Sequence, residues 1–293
     1  MKTATNHFLI LLKSGVEFFP GCNSWIQACF CSCMKAKHPG AWIRKIILLS
    51  TASSTIVAVS GQTVWTGNST ADAFVRTASP ASNYGAAGAL MVAGSASGIG
   101  AFESLVKFNL SGAKTQFDTQ YGSGNWTISA VTLRLAGNVS TQGGTSSNFP
   151  AINAGNFTVT WTANDTWTEG AGTPAAPGAS GVSFNDLTSL GGISDLSLGT
   201  FSFTPPGNNV AITWTLPAMP SSFTADLAAG GDVSLLFAPG DTTVAYLFNS
   251  RSYGTSANRP LLSVTAVPEP SAASFIMAAA GLFVWMKTRN QLV

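Results

Sequence analysis

The sequence is poor in the residue types that carry much of enzyme chemistry. Its 293 residues include four cysteines and two histidines, and neither type occurs again after His38. A mature chain that begins after His38 has no disulfide, no thiol nucleophile, no Ser-His-Asp triad and no histidine-bound metal. Redox catalysis through cysteine and the common zinc hydrolase sites are therefore excluded from that part of the sequence.

The cysteines that do occur form a weak candidate for a metal site. Cys29, Cys31 and Cys33 follow the spacing CxCxC, which suits zinc poorly because no second pair of ligands follows. The sequence also lacks the D-x-D-x-D pattern of a calcium loop, so structural calcium is compatible with the loop carboxylates but not indicated. We predict no metal site and no cofactor.

Charge is scarce, and only 9% of residues are Asp, Glu, Lys or Arg. Residues 62–266 contain six basic and ten acidic residues, a net charge of −4. The six cations are scattered singly, whereas binding to nucleic acid needs a basic stripe. We predict no nucleic-acid partner.

The amino-terminal part has the order of a secretory signal. Basic residues between Lys35 and Lys45 precede an apolar stretch at 46–59, and Ser60-Gly61-Gln62 follows it. Basic, apolar and small residues in this order are typical of a signal peptide. We predict a signal peptide over residues 34–61, with Met34 as the true start and residues 1–33 as a leader outside the mature protein.

The carboxyl-terminal part has the order of a membrane-retention signal. Residues 267–271 read VPEPS, the run 272–286 contains no charge, and Lys287 and Arg289 follow. A helix without a polar face must be buried all round, so we predict a transmembrane helix over 272–286. At about 1.5 Å per residue it reaches roughly 22 Å, which is marginal for a permanent anchor in a hydrocarbon core of about 30 Å. The basic residues would remain in the cytoplasm and leave residues 62–267 outside.

This tail resembles the PEP-CTERM sorting signal of exported bacterial proteins. The resemblance rests on VPEPS, the apolar run and the basic residues, although Thr288 splits the usual arginine cluster. It implies recognition of Pro268, Glu269 and Pro270 by an exosortase, a membrane-embedded transpeptidase. It also implies transient anchoring in the membrane and delivery to the cell surface or the extracellular matrix.

The region between the two signals predicts an all-β fold. Apolar and polar residues alternate repeatedly, and turn-rich segments of Gly, Asn and Pro separate the alternating runs. No long helix is required in residues 62–266, and half-buried strands pack economically as a two-sheet sandwich of the jelly-roll type. The alternating apolar positions are Val106, Phe108, Leu110; Val131, Leu133, Leu135; Phe157, Val159, Trp161; Val210, Ile212, Trp214, Leu216; Val233, Leu235, Phe237; Leu262 and Val264.

The same region contains a set of short strings in a characteristic order: D-A-F-V-R from Asp72, S-N-Y-G from Ser82, L-M-V from Leu90, S-L-V-K-F-N-L from Ser104, I-S-A-V-T-L-R-L from Ile128, W-T-A-N-D-T-W-T-E-G from Trp161, F-N-S-R-S from Phe248 and R-P-L-L-S-V-T from Arg259. In this order the strings resemble the DNRLRE domain, a family similar to carbohydrate-binding modules. Ser252 departs from its pattern, because the family tends to carry an acidic residue after the Ser-Arg pair. The resemblance implies a secreted sandwich that associates with polysaccharide.

Exposed aromatic rings are the candidate glycan contacts, since sugar rings stack on Trp and Tyr. Trp161 and Trp214 alternate in phase with apolar residues, so we predict that they are core. The rings in turn-rich stretches are predicted to be exposed and to bind glycan: Trp167, Trp126, Tyr84 and Tyr253.

These features favour a non-enzymatic surface or matrix protein that associates with exopolysaccharide. One alternative is a polysaccharide-degrading enzyme that uses Asp165 and Glu169, because glycosidases need two nearby carboxylates. A second alternative is a structural stalk without a ligand.

The signal-peptide pattern generates a prediction for the mature terminus. We expect the exported chain to begin between Ser60 and Thr63, and therefore to contain no cysteine. Mass spectrometry of surface material tests this expectation, and recovery of peptides from residues 1–33 would contradict it.

Overall fold

A computed structural model describes residues 61–138, 149–190, 195–204 and 207–269. The predicted leader, the predicted signal peptide up to residue 60 and the predicted membrane helix at 272–286 lie outside this range, as does Pro270 of the predicted sorting motif. Among the helices within the range, none combines the length and the apolar character that crossing a bilayer requires.

The described residues form two antiparallel sheets. One has four strands in the order β1-β11-β5-β8, and the other has seven, in the order β10-β3-β4-β9-β6-β7 with β2 also paired to β4. The predicted two-sheet sandwich is confirmed. The strands are β1 Thr63–Asn68, β2 Ala71–Arg76, β3 Ala89–Ala93, β4 Phe102–Asn109, β5 Trp126–Ala136, β6 Gly155–Thr162, β7 Leu196–Phe203, β8 Ala211–Thr215, β9 Asp232–Pro239, β10 Ala245–Asn249 and β11 Leu261–Pro268.

The alternation in the sequence places one face of each strand in the core. In β5, Val131, Leu133 and Leu135 are buried, whereas Thr132 and Arg134 are only partly buried. The exception is Val210, which precedes β8 and is 45% exposed. Period-2 patterning therefore identified the strands, and it failed at Val210, the residue just before β8.

The sequence pattern required no long helix in residues 62–266, and the structure nevertheless forms two helices, of 11 and 9 residues. Helix α1 spans Ser111–Tyr121 and helix α3 spans Ser221–Ala229, with the short α2 at Leu187–Leu190 between them. Each longer helix buries only two residues and has no strong apolar stripe, so its periodicity is weak: Ala113 and Phe117 in α1, Phe223 and Leu227 in α3.

Aromatic rings fill the space between the sheets. Phe157 lies at their centre, with ring centroids at 5.4 Å from Trp214 and 5.8 Å from Tyr246. Trp161 is buried and Trp214 packs against the same cluster, so both were predicted correctly as core residues. Large rings in edge-to-face contact supply much of the buried apolar area of the sandwich.

The seven-stranded sheet is also covered on its outer face. A separate apolar cluster there joins Ala73 and Val75 of β2 and Leu105 of β4 to Trp167, Val182 and Leu190. The last three residues belong to the long connection between β6 and β7. This connection therefore packs on the sheet, and the candidate site is built from it.

Phe157 tests the packing of the sandwich. We expect Phe157→Ala to lower the free energy of unfolding by about 3–5 kcal/mol, because the fully buried ring leaves a cavity among its neighbours. Val64→Ala is the control, since Val64 is 48% exposed and its truncation should cost about 0.5 kcal/mol or less. Denaturant unfolding measures both, and equal effects of the two changes would contradict this account of the core.

Candidate functional site

An open groove of about 260 Å³ lies in the connection between β6 and β7. One wall is residues 166–168, and the other is residues 181–190. The rim is polar and exposed, whereas the floor is apolar and buried. The lining consists of Thr166, Thr168, Asp186 and Ser189 at the rim, and of Trp167, Gly181, Val182 and Leu190 beneath it.

The first wall is anchored to the sheet by Trp167 and Lys107. The indole N–H of Trp167 donates to the Ser234 hydroxyl of β9 at 2.8 Å. The Lys107 ammonium of β4 lies 4.7 Å from the centroid of that indole, a cation–π contact. It also donates to the carbonyl oxygens of Asp165 at 2.6 Å and Trp167 at 2.9 Å. A buried lysine thus donates hydrogen bonds to two loop carbonyls that have no partner in the hydrogen-bond ladder of the sheet.

The second wall is held by a capping box. The Asp186 carboxylate accepts from the Ser183 backbone N–H at 2.9 Å and from the Ser183 hydroxyl at 2.7 Å. This arrangement starts the short 3-10 helix Phe184–Asp186 that leads into α2. The Asn185 N–H donates to the Pro80 carbonyl at 2.9 Å, which ties this wall to the loop after β2.

Asn83 connects the two walls. Its side-chain amide nitrogen donates to the carbonyl of Glu169 at 2.7 Å and to the carbonyl of Val182 at 2.8 Å. Its side-chain oxygen accepts from the N–H groups of Gly85 at 3.0 Å and Gly172 at 3.1 Å. All the hydrogen-bonding capacity of this buried amide is therefore used.

The space beside Asn83 admits only glycine at position 170. Gly170 has a φ of +76°, and a Cβ there would lie 2.3 Å from the Asn83 side-chain oxygen. A larger residue would be strained by its backbone and would displace Asn83.

Asp72, Glu169 and Arg251 form a charged cluster behind the first wall. The Glu169 carboxylate accepts from the Arg251 Nε at 2.7 Å, and it also pairs with Nη2 of the same guanidinium. The Asp72 carboxylate accepts from the Arg251 backbone N–H at 2.6 Å, while the Asp72 N–H donates to Glu169 at 3.4 Å. The cluster joins β2, the wall and the loop after β10.

Burial raises the pKa of Asp72 from its ordinary value of 3.8 to about 7. The Glu169 charge acts in the same direction, and the Arg251 N–H and guanidinium act against it. Because the folded-state pKa is raised, the stability linked to this group is present below about pH 4. That stability is lost as the pH rises to about 7.

Three of the four aromatic candidates are not on the surface, so the expectation that they are exposed is wrong. Trp167 is 6% exposed, Trp126 is 8% exposed and Tyr84 is 1% exposed. Each ring has a core partner: Trp167 packs on the outer face of the sheet, Trp126 lies 5.0 Å from Phe117, and Tyr84 stacks on Phe74 at 4.7 Å. Turn-rich sequence indicated the backbone path, but it did not indicate the direction of these side chains. Tyr253 is half-buried and remains at the surface.

The catalytic alternative gains no support from the positions of its two carboxylates. Neither Asp165 nor Glu169 lines the groove, although the residues between them do. Both oxygens of Glu169 accept hydrogen bonds from Arg251, and burial raises the pKa of Asp165. A general acid must reach the substrate, so the pair is better explained as part of the framework.

Sequence reasoning missed the residues that build the groove. Asp72, Asn83 and Arg251 all occur in strings that carry the DNRLRE resemblance, yet none was chosen as a site residue. Arg251 finds its carboxylate in Glu169, 82 residues earlier in the chain, rather than at its neighbour Ser252. The signal that could have identified these residues is that they are polar and lie within the strings that carry the DNRLRE resemblance.

A comparison with known families bears on this region. Residues 63–175 match carbohydrate-binding module family 96. No curated protein matches the chain. The matched segment includes Asp72, Asn83, Lys107 and the first groove wall, and it supports the carbohydrate-binding character implied by the DNRLRE resemblance. It ends before the second wall and before Arg251.

Trp167 distinguishes a framework role from a stacking role. We expect Trp167→Ala to lower the free energy of unfolding by about 3–5 kcal/mol, since it removes a buried ring and leaves Lys107 without its aromatic contact. Tyr253→Ala should cost about 1 kcal/mol or less. Thermal and denaturant unfolding of both variants test this, and an unchanged stability of Trp167→Ala would refute the buried placement.

Proposed function

We propose that residues 61–269 form a non-catalytic glycan-binding sandwich whose sugar-contacting site is the groove between residues 166–168 and 181–190. The observation that carries the proposal is the match of residues 63–175 to carbohydrate-binding module family 96, because that segment contains one complete wall of the groove.

The lining of the groove suits a sugar chain. Thr166, Thr168 and Ser189 present hydroxyl groups, which both donate and accept, and Asp186 contributes a carboxylate at the rim. The apolar floor provides contact for the C–H faces of a pyranose, although Trp167 is only 6% exposed. Little stacking area is available, so a single site of this kind binds weakly. Tyr253 is a candidate for an additional contact at the surface.

We further propose that the domain is exported and held at the cell surface, where its ligand is exopolysaccharide. The signal-peptide order of residues 34–61 and the PEP-CTERM resemblance of the tail support export and handling by an exosortase. The sorting motif follows the sandwich without a spacer. Pro268 is the last residue of β11 and pairs with Trp126, and the Glu269 N–H donates to the Asn125 carbonyl at 2.9 Å.

Removal of hydroxyl groups from the wall tests the groove. We expect the double variant Thr166→Val and Thr168→Val to bind polysaccharide about tenfold more weakly, since two hydrogen bonds of about 0.5–1.5 kcal/mol each are lost while the side-chain shape is kept. Affinity electrophoresis in gels that contain a neutral β-glucan, a galactomannan, a uronic-acid polymer or the host's extracted exopolysaccharide measures the loss.

The matched control is Thr213→Val with Thr215→Val on β8, where two threonines are equally exposed away from the groove. It should migrate like the wild type. Thr166 also donates to Asn164 at 2.7 Å, so the melting temperature of both double variants is compared with the wild type. A wild-type chain that none of these polysaccharides retards contradicts glycan binding, and equal losses in both double variants contradict the groove as its site.

A further inference from the structure

The groove wall rests on an unbalanced set of charges. Two carboxylates, those of Asp72 and Glu169, lie beside the single guanidinium of Arg251. We propose that this cluster is a pH-sensitive latch. Through Glu169, the residue after the first wall, it holds that wall in place when Asp72 is neutral and loosens it when Asp72 is ionised. Glycan binding then weakens as the pH rises toward neutrality, a consequence that rests on the proposed function of the groove.

The surroundings of Asp72 explain why it is the group that titrates. Asp72 is 1% exposed on β2, and the hydrogen bond that its carboxylate accepts from Arg251 comes from the backbone. The guanidinium is directed to Glu169 instead. On the neighbouring strand β4, the nearest cation is Lys107, whose ammonium donates to the carbonyls of Asp165 and Trp167. No cationic side chain among the described residues pairs directly with Asp72.

The charge balance changes with the state of Asp72. When Asp72 is protonated, one carboxylate and one guanidinium remain, and they neutralise each other. When Asp72 is ionised, its buried negative charge lies next to the partly exposed carboxylate of Glu169 without a cation of its own, an arrangement that is costly to bury. Movement of the wall admits water to both carboxylates and relieves that cost. The raised pKa of about 7 places the change within the physiological range.

The contacts of Glu169 transmit the change to the groove. Glu169 directly follows Thr168 of the first wall, and its carbonyl accepts from Asn83. Asn83 also donates to Val182 of the second wall. Displacement of Glu169 therefore shifts its neighbour Thr168, which lines the groove. It also breaks the hydrogen bond from Asn83 to Glu169, which is one of the two that connect the walls.

Hydrogen exchange tests the latch without any ligand. The full chain is examined between pH 5 and pH 8.5, with exchange rates of peptides from residues 163–172 corrected for the intrinsic effect of pH. Protection should fall by up to about tenfold per pH unit between pH 5 and 7 and become constant above pH 7, because the free energy linked to Asp72 is lost as the pH approaches its folded-state pKa.

Two variants identify the titrating group. Asp72→Asn cannot ionise and should remain protected across the whole range. Glu169→Gln removes the competing carboxylate and should move the transition to lower pH. The peptide that contains Val131, Leu133 and Leu135 of β5 is an internal control that should not respond. The latch would be overturned if protection of residues 163–172 did not depend on pH. It would also be overturned if Asp72→Asn showed the same pH-dependent loss of protection as the wild type.

A binding measurement links the latch to function. Affinity electrophoresis at pH 5 and pH 8 uses whichever polysaccharide from the panel is retained best, with a neutral polymer preferred because it does not titrate. Wild-type retardation should weaken by about tenfold or more at pH 8, whereas Asp72→Asn should be retarded equally at both values. Binding that stays constant while the exchange responds would overturn the coupling. Exchange that responds as expected, without retardation by any polymer at either pH, would refute the proposed function and leave the latch intact.

Discussion

The side-chain amide of Asn83 is the interaction on which the groove depends. It is buried, it makes four hydrogen bonds, and two of these reach carbonyls on opposite walls, at Glu169 and Val182. A side chain that lacked either a donor or an acceptor would leave buried backbone groups unpaired, at about 1–3 kcal/mol for each group. The long connection between β6 and β7 has little regular structure of its own, so this amide supplies the order that a strand or a helix would otherwise supply.

The covering of the seven-stranded sheet explains why polar residues are buried beneath this connection. A sheet face that ordinarily meets water carries polar side chains, and here Lys107 and Ser234 occupy such positions on β4 and β9. Once the connection packs over them, they must find partners inside the protein. Lys107 takes two carbonyl oxygens and the face of Trp167, and Ser234 takes the indole N–H. The same covering partly buries Glu169, whereas Asp72 lies on the opposite face of β2 from Ala73 and Val75 and is bonded there by the loop after β10.

The covering of the sheet accounts for Trp167. Other elements bury the two further aromatic residues that were placed wrongly from the sequence, since Trp126 packs on Phe117 of α1 and Tyr84 stacks on Phe74 of β2. Trp167, Trp126 and Tyr84 lie in or beside turns, and turns run over the surface. Their side chains nevertheless point inward, because each has an apolar surface to cover and a polar group that finds a partner. For Tyr84 the hydroxyl accepts from Arg76 at 2.9 Å, and for Trp126 the indole N–H donates to Asp118 at 2.9 Å. The domain has few charged residues, and its large aromatic rings are buried in the core. The groove therefore presents hydroxyl groups rather than an exposed ring on which a sugar could stack.

The sequence by itself determined the β-rich class and most strand positions, because alternation with a period of two is a local property that follows from strand geometry. It also determined the absence of thiol and imidazole chemistry after His38, which is a matter of composition. Helices α1 and α3 escaped prediction because each buries only two side chains. The tertiary structure alone decided the site. Asp72, Asn83, Glu169 and Arg251 come from separate segments of the chain. The hydrogen bonds that link them, like those from Lys107 to Asp165 and Trp167, form only after β2, β4, the loop after β10 and the connection over the sheet have come together. No local pattern encodes which carboxylate meets Arg251 or which carbonyls Asn83 reaches, since these are consequences of strand order and of the loop that covers the sheet.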